Sequence, residues 1–545
     1  WENISSLNVE DRNKYIFFKG ILNTCDWYGS SHNNLSGFLR IDKDSLKEKI
    51  SKKVDSPIHF DDFQNQCADI ASDCLILAPT GSGKTEAALL WSGLKSGKII
   101  YLLPTRVTSN AIYERMKTYF GELNVGLVHS AAIDYHFDKE KDYDTKDYFV
   151  EKTFFKPLTV ATIDQLLSTG FNVGHWAVKE LNCVGAKIII DEIHAYDFYT
   201  LGLTVASIRH FKKSGASFFL MSATIPRFLM ELIQKEIPDI KVIKNDSLLN
   251  KSRNRFIIKN HGIDGCEQEI AERIHDGKKV LIVVNTVNEA IKLYERYARY
   301  EEFSPICYHS RFIVKDRSKK EDEIIKASET SPGGCLVITT QVVEVSLDID
   351  FDILFTENAP ADAIIQRAGR INRRRKKPDS AVIIVKHRDV SEKVYNPLLL
   401  QKSYNEFSKY HDKPINEEDF LSIVNNVYKD VNVESNENYI AGLGQYKKIQ
   451  EHYNYIQDVS PNEGEVFTRV RNYLKISVIP DRFLKEVVDL KPHRKAKYLV
   501  DVPYWLKKKS YQTGDGFLYC PLDYNKQRGA ILDYKMTGDG GCYVL

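Results

Sequence analysis

Two carboxylates and an imidazole close the run "KIIIDEIH" at 187–194, so Asp191, Glu192 and His194 stand where an apolar, β-branched strand should end. An acidic pair at the end of a buried strand is costly to hold unless a cation or a reaction needs it. The partner chemistry lies upstream, in "APTGSGKTEAALL" at 78–90, which follows the apolar run "CLILAP" and leads into a helical pattern. This is the strand-loop-helix context of a phosphate loop, with Ala78 standing where the first glycine of that motif falls. Gly81 and Gly83 let backbone N–H groups turn toward phosphates, Lys84 can reach the β- and γ-phosphates, and Thr85 offers a hydroxyl to Mg²⁺. Thr80, Ser82 and Glu86 complete the loop expected to hold ATP. Asp191 then becomes the metal-side carboxylate, and Glu192 the group that orients and deprotonates the attacking water, with His194 beside it. The plainer reading, an Asp-Glu pair capping a helix start, loses ground once the loop is considered.

A second constellation is "QRAGRINR" at 366–373, in which Arg367, Arg370 and Arg373 follow Gln366 at three-residue steps. On a helix all three fall near one face, where they repel unless an anion lies opposite; the alternative is a solvated charge cluster. Read with the first set, Gln366, Arg370 and Arg373 are expected to be catalytic and Arg367 to touch the nucleotide. Arginines delivered from a second domain contribute of order 10³–10⁵ in rate where this has been dissected. "MSATIP" at 221–226 offers Ser222 and Thr224 as hydrogen-bonding reporters of the acidic segment's state. Thr105 and Arg106 in "LPTR", Thr162 in "ATIDQLL", Asn285 and Thr286 in "VVNT", and Thr340 and Gln341 in "TTQ" sit at the ends of apolar runs. There they suit sequence-independent contacts to a nucleic-acid backbone, although each taken singly is as readily a helix cap.

The elements that must position these groups follow from alternation. Between about 70 and 225 the apolar runs "CLILAP", "KIIYLLP", "LTVAT", "KIIIDE" and "SFFLMSAT" are separated by helical patterns, which reads as βαβ units around a parallel sheet. A second series, "KKVLIVVNT", "SPICYHS", "GCLVITT", "FDILFTE" and "AVIIVKH", follows from about 255. The fold class is therefore α/β, with two tandem parallel-sheet domains, a helical linker and a small C-terminal domain. The expected boundaries are 1–50 for a helical segment, 51–250 and 251–395 for the two sheet domains, 396–464 for the linker and 465–545 for the accessory domain.

At 545 residues and 43% hydrophobic content the chain can fill several cores. Its formal charge of +2 excludes a polybasic binder, so any nucleic-acid surface must be local. Nine scattered cysteines with no C-x-x-C pair indicate neither a disulfide framework nor a zinc ribbon and fit a reducing cytoplasm. No apolar stretch approaches the length of a membrane span.

Five landmarks in order, the glutamine Gln64 in "FQNQ", "GSGKT", "LPTR", "DEIH" and "MSAT", resemble the first RecA-like motor domain of superfamily-two helicases. "TTQVVEVSLDID" at 339–350 resembles the motif of the second motor domain in which a threonine meets the nucleic-acid phosphate and a later aspartate, here Asp348, approaches the nucleotide; Ser346 stands where many relatives have glycine. Closure of the two domains on ATP, coupled to a grip on the strand, would make a motor. "DEIHAYD", "PLTVATIDQLL", "YHSRF" and "QRAGRINR" narrow the resemblance to the CRISPR-associated helicases of type I systems, over about residues 60–390.

That resemblance implies an ATP- and Mg²⁺-dependent translocase on single-stranded DNA, recruited by the Cascade surveillance complex and feeding DNA to a metal-dependent HD-type nuclease. The nuclease of such proteins needs a helical domain of about two hundred residues before the motor, and about sixty precede it here. "GILNTCDWYGSSH" resembles the end of that domain, with Asp26 in the place of its last acidic ligand. The nuclease is thus expected upstream of residue 1 or on a separate subunit, and no nuclease activity is expected from this chain alone. Two other readings stay open: an RNA helicase of the same superfamily, and a non-hydrolysing ATP-binding scaffold.

Overall fold

In the computed structural model the described residues are 9–31, 39, 41–54, 59–79, 81–93, 97–139, 145–245, 251–300, 302–330, 333–346, 349–373, 375–452 and 475–532. They form two compact units, each drawn from two stretches of chain: Trp1–Leu248 with Val431–Val470, and Leu249–Asp430 with Arg471–Leu545.

The first unit is built on strands β1 (Cys74–Leu77), β2 (Ile99–Leu103), β3 (Val125–Val128), β4 (Leu158–Thr162), β5 (Lys187–Asp191), β6 (Ser217–Ser222) and β7 (Lys241–Lys244). They lie in the order β3-β4-β2-β5-β6-β1-β7, every pairing parallel. Strands covered on both faces read as continuous apolar runs, and their alternation sends successive side chains into two separate cores. Leu75, Ile100, Leu102, Ile188, Ile190 and Leu220 enter one core, while Ile76, Tyr101, Ile189, Phe219 and Met221 enter the other.

The second unit repeats the plan with β8 (Asn254–Ile258), β9 (Lys279–Val283), β10 (Ile306–Tyr308), β11 (Cys335–Thr339), β12 (Ile353–Glu357), β13 (Ala381–Val385) and β14 (Lys413–Ile415). Its order is β10-β11-β9-β12-β13-β8-β14, and only β14 runs antiparallel, against β8. The parallel-sheet expectation therefore holds in both halves. Strands β3, β7, β8 and β14 were not legible as apolar runs, because they lie at or next to the sheet edges, are short, or carry lysines that face water.

The stretch 396–464, expected as a linker, is divided between the units. The helices Pro397–Ser408 and Glu417–Val427 flank β14 in the second unit, while Glu437–His452 belongs to the first. That last helix crosses Phe198–Lys213 at a pair of glycines: a Cβ on Gly202 would strike the Tyr439 carbonyl, and one on Gly442 the Tyr199 carbonyl. Tyr439 and Tyr446 are thereby inserted into the first unit's core.

The second part of the second unit is a small domain of β15 (Lys475–Pro480), β16 (Val500–Pro503), β17 (Tyr511–Gln512), β18 (Leu518–Cys520), β19 (Asp523–Asn525) and β20 (Gly529–Ile531). It has its own core, into which Ile313 also packs, and the Tyr524 hydroxyl donates to Asp316 at 2.8 Å. The N-terminal helix Val9–Ser31 packs through Ile16 on Trp176 and Ala177.

Candidate nucleotide site and nucleic-acid-facing strand ends

The phosphate loop joins β1 to the helix Lys84–Ser92. Gly81 and Gly83 sit at φ 83° and 80°, a left-handed backbone that only glycine adopts without penalty. A side chain at Gly83 would also strike the Gln64 amide, whose Nε2 donates to the Gly83 carbonyl at 3.2 Å. Gln64 Oε1 meanwhile accepts the Asp61 N–H at 3.1 Å in a capping box, so this glutamine buttresses the loop. Ser82 Oγ is shielded and has no protein partner. Glu86, expected at the nucleotide, instead turns inward to pair with Arg115, because its place on the helix faces the interior rather than the loop. Thr80 lies outside the described residues.

The acidic segment closes β5 opposite Met221 of β6. Glu192 has φ 51°, ψ 48°, a strained conformation for a residue with a side chain, and such strain gathers at functional sites. Its Oε1 lies 3.5 Å from Lys84 Nζ and its Oε2 3.4 Å from His194 Nδ1. Asp191 accepts a hydrogen bond from the Tyr101 hydroxyl on Oδ2 at 3.1 Å, while its Oδ1 is shielded and without a protein partner. Burial, then the neighbouring Glu192 carboxylate, push the Asp191 carboxyl up to about 7 against the pull of Lys84.

His194 Nδ1 also bonds to Ser222 Oγ, which donates to the Thr224 carbonyl at 2.7 Å and accepts the Thr224 N–H at 3.3 Å. With the serine proton committed to Thr224, the histidine is the donor in that pair, which fixes its proton on Nδ1. The acidic segment and "MSAT" are thus joined in one hydrogen-bonded chain.

In the second unit the helix Ala361–Ala368 ends at Gly369, before two of the three arginines. Only Arg367 is helical, which corrects the expectation that all three share a helix face: a backbone bridge between Phe351 and Ile371 pulls the chain out of the helix. Arg367 is fully buried, where its Nε donates to Glu344 Oε1 at 2.7 Å, Nη1 to Thr356 Oγ1 at 2.8 Å and Nη2 to Asn285 Oδ1 at 3.1 Å. The guanidinium is saturated by its own unit, so Arg367 is an internal strut and not a nucleotide ligand. Burial alone would lower its pKa, but Glu344 and Tyr395 raise it.

Arg370 donates from Nε to the Val343 carbonyl at 2.9 Å and from Nη2 to the Glu344 carbonyl, capping the short helix Val342–Ser346. Arg373 and Gln366 are half-buried, and the Arg373 N–H donates to Asp350 at 2.9 Å. Asp348 lies outside the described residues.

The residues expected to meet nucleic acid fall at the carboxyl ends of β2, β4, β9 and β11, the end of a parallel sheet where ligands bind. Thr105 and Thr286 cap the helices that follow, accepting from Thr108 N at 3.3 Å and Glu289 N at 3.4 Å. Arg106 is half-buried, whereas Thr162 and Thr340 are buried. Gln341 Nε2 donates to the Asn285 carbonyl at 2.8 Å. Asn285 is a correction: its Nδ2 donates to the Asn358 carbonyl at 2.9 Å and to Ser391 at 3.1 Å while its Oδ1 accepts from Arg367, so its side chain is consumed inside the unit.

Three residues escaped the reading of the sequence. Tyr101 was one apolar position among many in "KIIYLLP". His129 and His309 open the matching dipeptides "HS" after β3 and β10, and their Nδ1 atoms accept the N–H two residues on, at 3.1 and 3.2 Å. Burial, and then Arg106 and Arg311 respectively, press both imidazoles down to about 3, so they stay neutral. The repeated "HS" was the signal available.

Asp26 is exposed on the N-terminal helix, beside Trp27, whose ring meets Phe149 edge-on at 4.7 Å. Among the described residues no group of three or more His, Cys, Asp or Glu is placed to hold a metal ion, and no helix is long and apolar enough to cross a membrane.

A phosphate loop, an acidic segment coupled to a serine-threonine motif and two RecA-like sheets define the motor of an ATP-dependent helicase. Residues 61–232 match the family model of the DEAD/DEAH box helicase, and residues 276–376 that of the CRISPR-associated nuclease/helicase Cas3, C-terminal. A putative CRISPR-associated nuclease/helicase Cas3 of Methanocaldococcus jannaschii is 30% identical over 99% of this chain and 80% of its own length. The chain belongs to the Cas3 family of CRISPR-associated helicases.

The Cas3 proteins of Methanothermobacter thermautotrophicus and Escherichia coli K12 are each 30% identical, over 66% and 56% of this chain, and the matches span 45% and 41% of those longer proteins. Among solved structures, T. fusca Cas3 with ATP superposes with a TM-score of 0.72 at 18% identity, covering 91% of this chain and 72% of that one, which establishes likeness of fold.

Proposed function

We propose that this chain is the motor of a type I CRISPR interference system in a prokaryotic cytoplasm: it translocates on single-stranded DNA, is recruited by the Cascade surveillance complex, and delivers DNA to an HD nuclease domain or subunit. The observation that carries the reading is the meeting of Lys84 with the strained Glu192 at 3.5 Å, beside an Asp191 oxygen that is shielded and unpartnered. A buried carboxylate oxygen without a donor is costly, and a dication offsets that cost. Thr85 and Asp191 are therefore the residues that would hold Mg²⁺. When bound, Mg²⁺ neutralises charge on the β- and γ-oxygens.

In this mechanism Lys84 exchanges its ion pair with Glu192 for the β/γ-phosphates of ATP. Glu192, released from the lysine, orients the attacking water and takes its proton. His194, bonded to Ser222, transmits the change to Thr224. Arg370 and Arg373 stabilise the charge that develops on the transferred phosphoryl group, and Gln366 assists in positioning. Thr105, Arg106, Thr162, Thr286, Thr340 and Gln341 hold the DNA backbone at the strand ends. The name of the M. jannaschii relative supports the CRISPR role, and a structural neighbour described as a CRISPR RNA-guided surveillance complex before nicking, with a TM-score of 0.57, supports recruitment by Cascade.

The test is Glu192→Gln. ATP and single-stranded DNA binding are expected to persist while turnover falls about 10²–10⁴-fold; turnover near that of the unaltered protein would remove Glu192 from the role of base. Single-stranded DNA is expected to stimulate the ATPase more than RNA of the same sequence, and the reverse would favour an RNA helicase.

A further inference from the structure

Tyr101 lies in the middle of β2, fully buried, in a core otherwise made of aliphatic and aromatic side chains. A phenol there needs a partner, since an unpaired buried hydroxyl costs about 1–3 kcal/mol. Its hydroxyl donates to Asp191 Oδ2 at 3.1 Å.

Asp191 is thereby held by Oδ2 and left with Oδ1, which is shielded and without a protein partner. A dication binds oxygens through lone pairs, so a carboxylate fixed through one oxygen keeps the other turned and open for it.

We infer that Tyr101 is a positioning residue for Mg²⁺, holding Asp191 by Oδ2 so that Oδ1 is presented to the metal. The inference rests on the proposed reading of Thr85 and Asp191 as the Mg²⁺ ligands. Hydrogen-bond partners of metal ligands typically contribute about 10–100-fold in metal affinity.

The test is Tyr101→Phe in the full chain, a change of one oxygen that keeps the ring. Calorimetric titration of ADP is carried out in EDTA and across a series of Mg²⁺ concentrations. ADP affinity in EDTA is expected to stay within about twofold of the unaltered protein, while the Mg²⁺ concentration for half-maximal enhancement rises at least about tenfold. An unchanged Mg²⁺ midpoint overturns the inference. Loss of ADP binding in EDTA, or loss of folding, also overturns it, because the phenol would then be a general strut. If the unaltered protein shows no Mg²⁺ enhancement, or Thr85→Val and Asp191→Asn leave its midpoint unmoved, the underlying ligand assignment has failed and not the positioning role alone.

Discussion

Removing Arg367 separates two accounts of the "QRAGRINR" segment. If the residue is a strut, Arg367→Met leaves Glu344 buried without its cation and Asn285 Oδ1 without its donor. Burial already raises the Glu344 carboxyl, and Arg367 is the first group that opposes the rise. Breaking a buried ion pair from one side costs about 3–5 kcal/mol, because the other charge stays behind. The cost should fall on the second unit, where the guanidinium ties Thr356 of β12, Glu344 of the short helix Val342–Ser346 and Asn285 after β9 together.

Hydrogen exchange read by mass spectrometry reports it locally: amides of 335–346 and 353–368 should exchange about 10²- to 10⁴-fold faster, with 74–77 and 187–191 unchanged. The double variant Arg367→Met with Glu344→Gln removes the stranded charge and should recover at least about 2 kcal/mol of the loss. Protection that stays intact in the single variant while ATP affinity drops tenfold would show that Arg367 is a nucleotide ligand after all, and the strut argument would be refuted.

Gly442→Val should push the helix Glu437–His452 off Phe198–Lys213, because its side chain meets the Tyr199 carbonyl; a fall in thermal midpoint and earlier proteolysis between 431 and 452 would report it, and unchanged midpoints would deny the close crossing. Lys179 is buried under the Phe154 ring, with Nζ donating to the Gln165 carbonyl at 3.3 Å, and burial presses it down to about 7. Between pH 7 and the unfolded value of about 10.4 the unfolded chain holds the extra proton, so stability should rise with pH across that window and its cost should be fully present below pH 7. Lys179→Met should flatten that slope in urea titrations at pH 7 to 10, and an unaltered slope would exclude Lys179 as its source. Lys84→Ala should abolish ATP binding measured by calorimetry while leaving hydrogen exchange of the second unit untouched.

Much of this was legible in the residue order because it obeys local rules. "GSGKT" needs glycines at positive φ, "KIIIDE" must end where its apolar alternation ends, and both did so within the first sheet. The second unit was harder for a reason visible in Arg367 and Asn285: in sequence a buried arginine saturated by carbonyls, a hydroxyl and one carboxylate looks the same as an arginine facing a phosphate. Spacing of three suggested a helix through Arg373, but Gly369 and the Phe351–Ile371 bridge end it, and bridges between distant segments leave no local trace. Tyr101 was hidden for a similar reason, since a tyrosine in an apolar strand reads as core until its partner across the sheet is known.

The two sheets follow one plan with every strand number advanced by seven, so the asymmetry of function must come from what stands at corresponding strand ends. After β1 comes the phosphate loop; after β8 comes "KNHGIDGC", which has no lysine-threonine pair. At the end of β5 stands Asp191, held through Oδ2 by Tyr101; at the end of β12 stands Glu357, whose Oε2 accepts the Asn285 N–H at 2.7 Å, and each carboxylate keeps its other oxygen shielded and unpartnered. Both edge strands keep the same neutral histidine, whose Nδ1 ties the local turn. A duplicated scaffold has thus kept its turns and given nucleotide chemistry to one copy, which requires that ATP bind through Lys84 in the first unit and that no second nucleotide bind through the second.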